Sequence, residues 1–193
     1  MRKMIAAFKT SLDMKIEGPD GFADWVDAWS DDYGMMAQID TCLLGGEMYK
    51  GYVQYWTAIQ NHQPGEPLPM TGKEPTAAEV DWARFAAVTP HYVLSRSQDR
   101  AQWPSTRFLR SLDEVAELKR QPGKDIYLMG GAKITSALFD AGLVDEIRLL
   151  IYPLLAGEGK QLFDGNRVRQ DMKLVEAAAV KNGVVRLIYV KSQ

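Results

Sequence analysis

Short apolar runs alternate along the chain with polar stretches punctuated by Gly and Pro, and both the strand and the helix period are present. Residues 3–9, centred on Ile5-Ala6-Ala7-Phe8, predict a first strand, and residues 10–22, rich in Gly, Pro and Asp, predict a loop. Ser30 predicts an N-cap, with Asp31 and Asp32 in the first turn of a helix reaching about residue 39. A short buried strand at 41–44 leads into a helix over about 47–55. Thr76 and Glu79 have capping-box spacing and open a helix to about residue 87. Residues 91–94 read as a strand and 107–109 as a further short one. Ser111 and Glu114 form a second capping box, for a helix ending near 119. Residues 125–129 predict a strand, 132–141 a helix stopped by Gly142, and 146–152 a strand closed by Pro153. Residues 172–181 and 184–190 flank Asn182-Gly183, a pair that favours a two-residue hairpin turn. The alternation predicts an α/β fold: a mostly parallel sheet flanked by helices, with an antiparallel C-terminal hairpin.

Composition narrows the class. A length of 193 residues with 46% apolar content suits one domain, 1–193, with a continuous core. The stretch 61–75, with four prolines and two glycines, reads as a long surface loop, because neither side of it would make a sheet alone. A net charge of −2 with interspersed signs argues against a nucleic-acid or anionic-membrane partner. Cys42, the single cysteine, lies in the run Cys42-Leu43-Leu44 and reads as a small core residue. One cysteine makes no intrachain disulfide, so a reducing cytoplasm is the expected location. His62 and His91 are far apart, and no metal site is expected. Arg2 and Lys3 before the first apolar run imitate a signal peptide, but Lys9 interrupts a run already too short. No run approaches the ~20 apolar residues of a membrane helix.

Two places share one design. Cys42-Leu43-Leu44 runs into Gly45-Gly46 and a helix, and Ile126-Tyr127-Leu128-Met129 runs into Gly130-Gly131 and a helix. Glycines let a ligand approach the backbone closely, and a helix N-terminus offers N–H groups and partial positive charge to a phosphate. In a parallel sheet both turns lie at the carboxyl edge and could hold the two phosphates of one dinucleotide. Neither matches GxGxxG, so an ordinary Rossmann domain is disfavoured. Ser95-Arg96-Ser97 follows a third strand; a hydroxyl beside a guanidinium suits the 2′-phosphate that separates NADP from NAD, with Arg100 or Arg107 as substitutes. The loop 11–21 has the composition of a mobile lid. In it, Asp13 is the candidate for a catalytic substrate contact and proton donor, with simple turn chemistry as the other reading; Ile16 is a candidate wall against nicotinamide. Trp29, Trp56, Trp82 and Trp103 are core, interface or pocket residues, core being the first reading for each.

The ordered set Ser11-Leu12-Asp13, Gly18-Pro19-Asp20-Gly21, Leu43-Leu44-Gly45 with Tyr49, Leu94-Ser95-Arg96, Ile126 to Ala132, Ile151-Tyr152-Pro153, Gly157, Gly159 and Leu162-Phe163 resembles the dihydrofolate reductase-like proteins. Within them it is most similar to the C-terminal reductase domain of bacterial riboflavin biosynthesis and its stand-alone relatives. The resemblance implies a dihydrofolate reductase-like sheet, NADPH as cofactor, a small-molecule substrate and often a homodimer. It implies that Gly45, Gly46, Glu47 and Met48 line one phosphate site, that Gly130, Gly131, Ala132, Lys133 and Ile134 line another, that Ser95 and Arg96 approach the 2′-phosphate, and that Ala7 and Ile16 border the nicotinamide. The implied activity is hydride transfer to a small oxidised substrate, such as a pyrimidine of the riboflavin pathway (5-amino-6-(5-phosphoribosylamino)uracil reductase-like). A non-catalytic nucleotide-binding module and dihydrofolate reductase proper are the alternatives, the latter using a carboxylate among Asp24, Asp27, Asp31 and Asp32 with Trp25 nearby. Three positions depart from the family pattern: Gly46 and Met48 stand where Arg and Thr are usual, and Met14 where the riboflavin branch has Gly.

Overall fold

Every residue of β1 (Met4–Thr10) is buried, because this strand sits inside the sheet with helices over both faces. The computed structural model describes residues 1–193 other than 27, 28, 30–32, 164, 166 and 193. The remaining strands are β2 (Lys15–Glu17), β3 (Ile39–Gly45), β4 (His91–Leu94), β5 (Thr106–Leu109), β6 (Asp125–Gly130), β7 (Glu146–Ile151), β8 (Lys160–Gln161), β9 (Met172–Ala179) and β10 (Val185–Lys191). Four α-helices are described: α1 (Gly46–Gln60), α2 (Ala77–Val88), α3 (Leu112–Arg120) and α4 (Ala132–Asp140). The main sheet has the order β5-β4-β3-β6-β1-β7-β10-β9. Its pairs from β5 to β7 are parallel, and β7–β10 and β10–β9 are antiparallel. The mostly parallel sheet with an antiparallel C-terminal hairpin is therefore present as the pattern predicts.

Alternation along β1 divides the core. Ile5 and Ala7 pack with Tyr52, Trp56, Trp82 and Ala86, on the side of α1 and α2. Met4, Ala6 and Phe8 pack with Val115, Leu118, Ile134 and Leu138, on the side of α3 and α4. Cys42 is fully buried in the first of these clusters.

The helix starts follow their caps. Thr76 accepts the Glu79 N–H at 3.2 Å while Glu79 accepts the Thr76 N–H at 2.9 Å, a complete capping box. Ser111 accepts the Glu114 N–H at 3.2 Å, but the Glu114 carboxylate reaches past the cap to the Arg110 N–H at 2.8 Å. α4 ends where Gly142, at φ +66°, lets its own N–H reach the Phe139 carbonyl and the Leu143 N–H reach that of Leu138.

Four elements differ from the expectation. Residues 33–38 form turns, not the end of a helix: Gly34 lies at φ +69° and Ile39 is already paired with Asp125. Ser30, Asp31 and Asp32, the expected start of that helix, lie outside the described residues. α1 continues to Gln60, because Tyr49, Tyr52, Val53, Trp56 and Ile59 make one buried stripe. The loop 10–22 contains β2, paired antiparallel with β8. In the hairpin Asn182 and Gly183 take the expected positive φ, and the Val184 N–H reaches the Lys181 carbonyl at 3.2 Å. The Val180 N–H bonds to the Val184 carbonyl at 2.8 Å, so the ladder closes one residue earlier on the first strand than a two-residue loop would give.

Candidate functional site

Parallel strands end at one edge of the sheet, and the chain opens a cleft of about 1050 Å³ there. β3 and β6 are neighbours in a register that pairs Leu44 with Gly130, so the two glycine turns lie side by side. A Cβ on Gly45 would stand 3.2 Å from Ile134 Cγ2 and 3.6 Å from the Gly131 nitrogen. Gly130 adopts φ +126°, with Phe8 Cε1 3.1 Å from where its Cβ would be, and the Gly130–Gly131 peptide is cis. The N-caps of α1 and α4 are Gly45 and Gly131, and neither has a side-chain capping bond. Their first N–H groups thus face the cleft without a side-chain acceptor, the condition for holding an anion. Across these helix starts Lys133 Nζ meets Glu47 Oε1 at 2.9 Å, and the Lys133 hydrogen bond and charge hold Glu47 below the usual carboxylate range. Both side chains are largely exposed, so the pair is readily displaced by a ligand.

The departure at Gly46 has a steric cause. A Cβ there would lie 2.8 Å from Ser95 Oγ and 2.9 Å from Ser95 Cβ, and the Gly46 carbonyl accepts the Gln98 side-chain N–H at 2.8 Å. The loop after β4 thus rests directly on the start of α1. Arg110 holds this loop by donating to the carbonyls of Ser95, at 2.6 Å, and Gln98, and its guanidinium lies 5.4 Å from the Phe108 ring centre. Arg96 is exposed, and it and Arg110 both line the cleft. Arg100 and Arg107, the substitutes considered from sequence, do not line it. Arg110 is one cation that sequence reading missed, as are Lys9 and Lys160, which also line the cleft; the signal for Arg110 is position, directly after β5 and before the Ser111 cap.

The other half of the cleft is aromatic. Trp29, Tyr33, Tyr52, Tyr55, Trp56, Trp82 and Tyr127 line it, with Phe22, Met70 and Met129. Their rings meet edge-on or tilted: Trp82 and Tyr127 at 5.8 Å, Tyr55 and Trp56 at 5.0 Å, Tyr33 and Tyr127 at 6.3 Å. Trp56 and Trp82 are thus both core and cleft wall, whereas Trp103 belongs to the core and does not line this cleft. Glu79 braces the wall: one carboxylate oxygen accepts the Tyr55 hydroxyl at 2.7 Å and the Trp29 N–H at 3.0 Å. His91 beneath it is structural. Its Nδ1–H donates to the Thr89 carbonyl at 2.7 Å and Nε2 accepts the Tyr52 hydroxyl at 3.1 Å; burial pushes its pKa down to about 4, so it stays neutral.

All of the cofactor-site candidates, Ala7, Ile16, Gly45 to Met48, Ser95, Arg96 and Gly130 to Ile134, line this one cleft. Asp13 does not. Its carboxylate accepts the Ser11 hydroxyl at 2.6 Å and the N–H groups of Ala156 at 3.0 Å and Gly157 at 2.8 Å. The Ser11 bond first, then those backbone donors, hold its pKa at about 2. It is a carboxylate near neutral pH, with no proton to give, and it fastens the lid loop to the segment after β7. Met14 beside it has φ +61°, the left-handed turn for which glycine is usual. Asp13→Ala is therefore expected to speed trypsin cleavage at Lys15 and Lys160 several-fold, read by mass spectrometry, while leaving the melting temperature of the rest of the domain nearly unchanged. Of the acids considered for a dihydrofolate reductase site, Asp24 is exposed and does not line the cleft. Asp27, Asp31 and Asp32 lie outside the described residues. Among the described residues no group of three His, Cys, Asp or Glu could hold a metal ion, and no helix is long and apolar enough to cross a membrane.

A parallel sheet of this order, with glycine turns leading two helices at its carboxyl edge, is the dihydrofolate reductase-like fold. The chain belongs to the RibD C-terminal domain family, whose model matches residues 2–186. The Bacillus subtilis (strain 168) protein YyaP is 34% identical over 193 residues, covering 97% of this chain and 94% of that one. The crystal structure of a putative riboflavin biosynthesis protein from Shewanella sp. PV-4 superposes with a TM-score of 0.72 at 17% identity, over 100% of both chains. Enterococcus faecalis dihydrofolate reductase, complexed with NADP(H), superposes with a TM-score of 0.63 at 14% identity, over 99% of this chain and 97% of that one.

Proposed function

We propose that this protein is an NADPH-dependent reductase that transfers a hydride to a small oxidised, planar substrate. One observation carries the reading: the Leu44–Gly130 register sets two uncapped, glycine-led helix N-termini side by side at one end of a cleft whose other end is aromatic. The residues present fit the cofactor, since Gly131, the N-cap of α4, lines the cleft and a Cβ there would meet nothing within 4 Å. Gly45 to Met48 and Gly130 to Ile134 would hold the two phosphates, and Ser95, Arg96 and Arg110 the 2′-phosphate. Ala7, small and on the central strand, and Ile16 on β2 would border the nicotinamide ring. NADPH, when bound, supplies the hydride. The chain's own part is to orient the two rings and to exclude water, which its aromatic wall does. Membership of a family named for a riboflavin-pathway protein and likeness to an NADP(H)-bound reductase fold both support this reading.

Thermal unfolding tests it. A ligand at 100 times its Kd adds about 2.7 kcal/mol, which for a domain of this size is roughly 5–10 °C. NADPH is expected to raise the melting temperature by that much and NADH by far less. Replacing Arg96 and Arg110 together by Ala is expected to abolish the difference between the two cofactors. No shift with either cofactor at millimolar concentration overturns the proposal.

A further inference from the structure

Charge is not spread evenly round the cleft. Of the lysines and arginines that line it, Arg96 and Arg110 follow β4 and β5, and Lys133 opens α4, paired with Glu47. Lys160, on β8, is 2.6 Å from Glu17 Oε1 and close enough to Glu47 for its charge to help lower that carboxyl's pKa. These four belong to the glycine-turn end, where the proposed cofactor lies. Ser95, Ser97, Gln98 and Ser111 line the same end. The remaining lining cation among the described residues, Lys9, is 3% exposed beside Trp29 and already engaged within the protein. The residues outside the described set include no lysine or arginine.

The aromatic half offers rings rather than polar groups. The Tyr52 hydroxyl is bonded to His91 Nε2 at 3.1 Å, and the Tyr55 hydroxyl donates to Glu79 at 2.7 Å. Neither His91 nor Glu79 lines the cleft, so both hydroxyls are engaged behind the wall. Phe22 and Met70, from two separate loops, line the same half and are 46% and 45% exposed. Exposed apolar side chains gathered round a groove mark a surface that a ligand covers. A charged group entering here would give up its water and gain no uncommitted counter-charge, which costs far more than burying a ring.

We infer that the substrate is a neutral, flat ring compound with no phosphate or carboxylate group. This rests on the reductase reading above, and it departs from the phosphoribosyl pyrimidine that the family resemblance implies. Ring contact and shape hold such a substrate. A phosphorylated relative of it is rejected by the missing counter-charge, not by a clash.

The test compares two probes with one ring system, 2-naphthol and 2-naphthyl phosphate. Each is titrated calorimetrically, near neutral pH, into protein saturated with NADP⁺, so that the cofactor's own phosphate sites are filled. Wild type is expected to bind 2-naphthol about tenfold or more tightly than the phosphate. Met70→Arg, which puts a cation in the aromatic half, is expected to narrow that gap about threefold or more. Met70→Leu is expected to keep it. The NADPH-induced melting shift of wild type separates the two readings. If there is no shift, the reductase reading fails and this inference with it. If the shift is present but the phosphate binds as tightly as the naphthol, neither probe binds, or Met70→Arg leaves the gap unchanged, this inference alone is overturned.

Discussion

Gly46→Arg is expected to weaken NADPH binding about tenfold or more, although the family resemblance would lead one to expect an arginine at this place. An added cation beside a diphosphate would ordinarily strengthen binding. Here any side chain at position 46 meets Ser95 first, at 2.8 Å from its oxygen and 2.9 Å from its Cβ. Ser95 is not a flexible end that can swing aside. Its N–H is bound to the Leu109 carbonyl at 3.0 Å, its carbonyl to Arg110 at 2.6 Å, and its hydroxyl accepts the Gln98 N–H at 3.1 Å. The 95–98 loop must therefore move as a unit, taking Ser95 and Arg96 out of place. Losing one charge-assisted contact costs about 1.5–3 kcal/mol, at or above tenfold in affinity. Fluorescence titration with NADPH measures it. Gly46→Ala should shift affinity in the same direction without any charge, and tighter binding by Gly46→Arg would refute the steric account.

Glu79→Ala is expected to destabilise the domain by about 3 kcal/mol, since it strands several polar groups at once, and to lower the melting temperature by roughly 6–12 °C. Glu79 is 4% exposed. One carboxylate oxygen serves Tyr55 and the Trp29 backbone, and the other accepts both the N–H and the hydroxyl of Thr76 at 2.9 Å. Burial pushes its pKa up, but these hydrogen bonds outweigh burial and leave it below its ordinary value of 4.5. A depressed folded pKa means that the stabilisation is fully present above the unfolded value and is lost as pH falls through the folded one. The gap in melting temperature between wild type and Glu79→Ala should thus be constant from pH 6 to 8 and shrink below about pH 4.5. Trp29 and Tyr55 also wall the aromatic half of the cleft, so under the proposed function the variant should lose substrate affinity before it loses cofactor affinity.

The glycine-turn half of the cleft was legible because each part of it is contiguous in sequence. A strand, a glycine pair and a helix start are written within a few residues, and the parallel sheet then brings the two copies together. The aromatic half is assembled from Lys9, Trp29, Tyr55, Trp82 and Tyr127, residues separated by long stretches of chain, and no local pattern marks them as neighbours. Glu79 was legible as a helix cap, but not as the acceptor for Trp29 and Tyr55. The Ser30-Asp31-Asp32 cluster suits a helix start and a turn equally, and Gly34 at φ +69° shows that the chain turns soon after it. For Asp13 the sequence allows turn chemistry and a substrate contact equally; the Ser11 hydroxyl that bonds it is local, but its other donors come from residues 156 and 157, far along the chain.

The place of β1 in the sheet has a consequence for how the chain is made. Among the described residues β1 pairs with β6 and β7 alone, through Asp125–Gly130 and Glu146–Ile151, so during synthesis it has no partner until more than a hundred further residues have followed. For that interval a fully apolar core, Met4 to Phe8, waits unpaired, an invitation to aggregation that chaperones would have to cover. Seating β1 between β6 and β7 is a long-range event, and such non-local pairing slows folding. Because Gly45 and Gly131 come together only across the β3–β6 pair, cofactor binding during synthesis would report that this pairing has been completed.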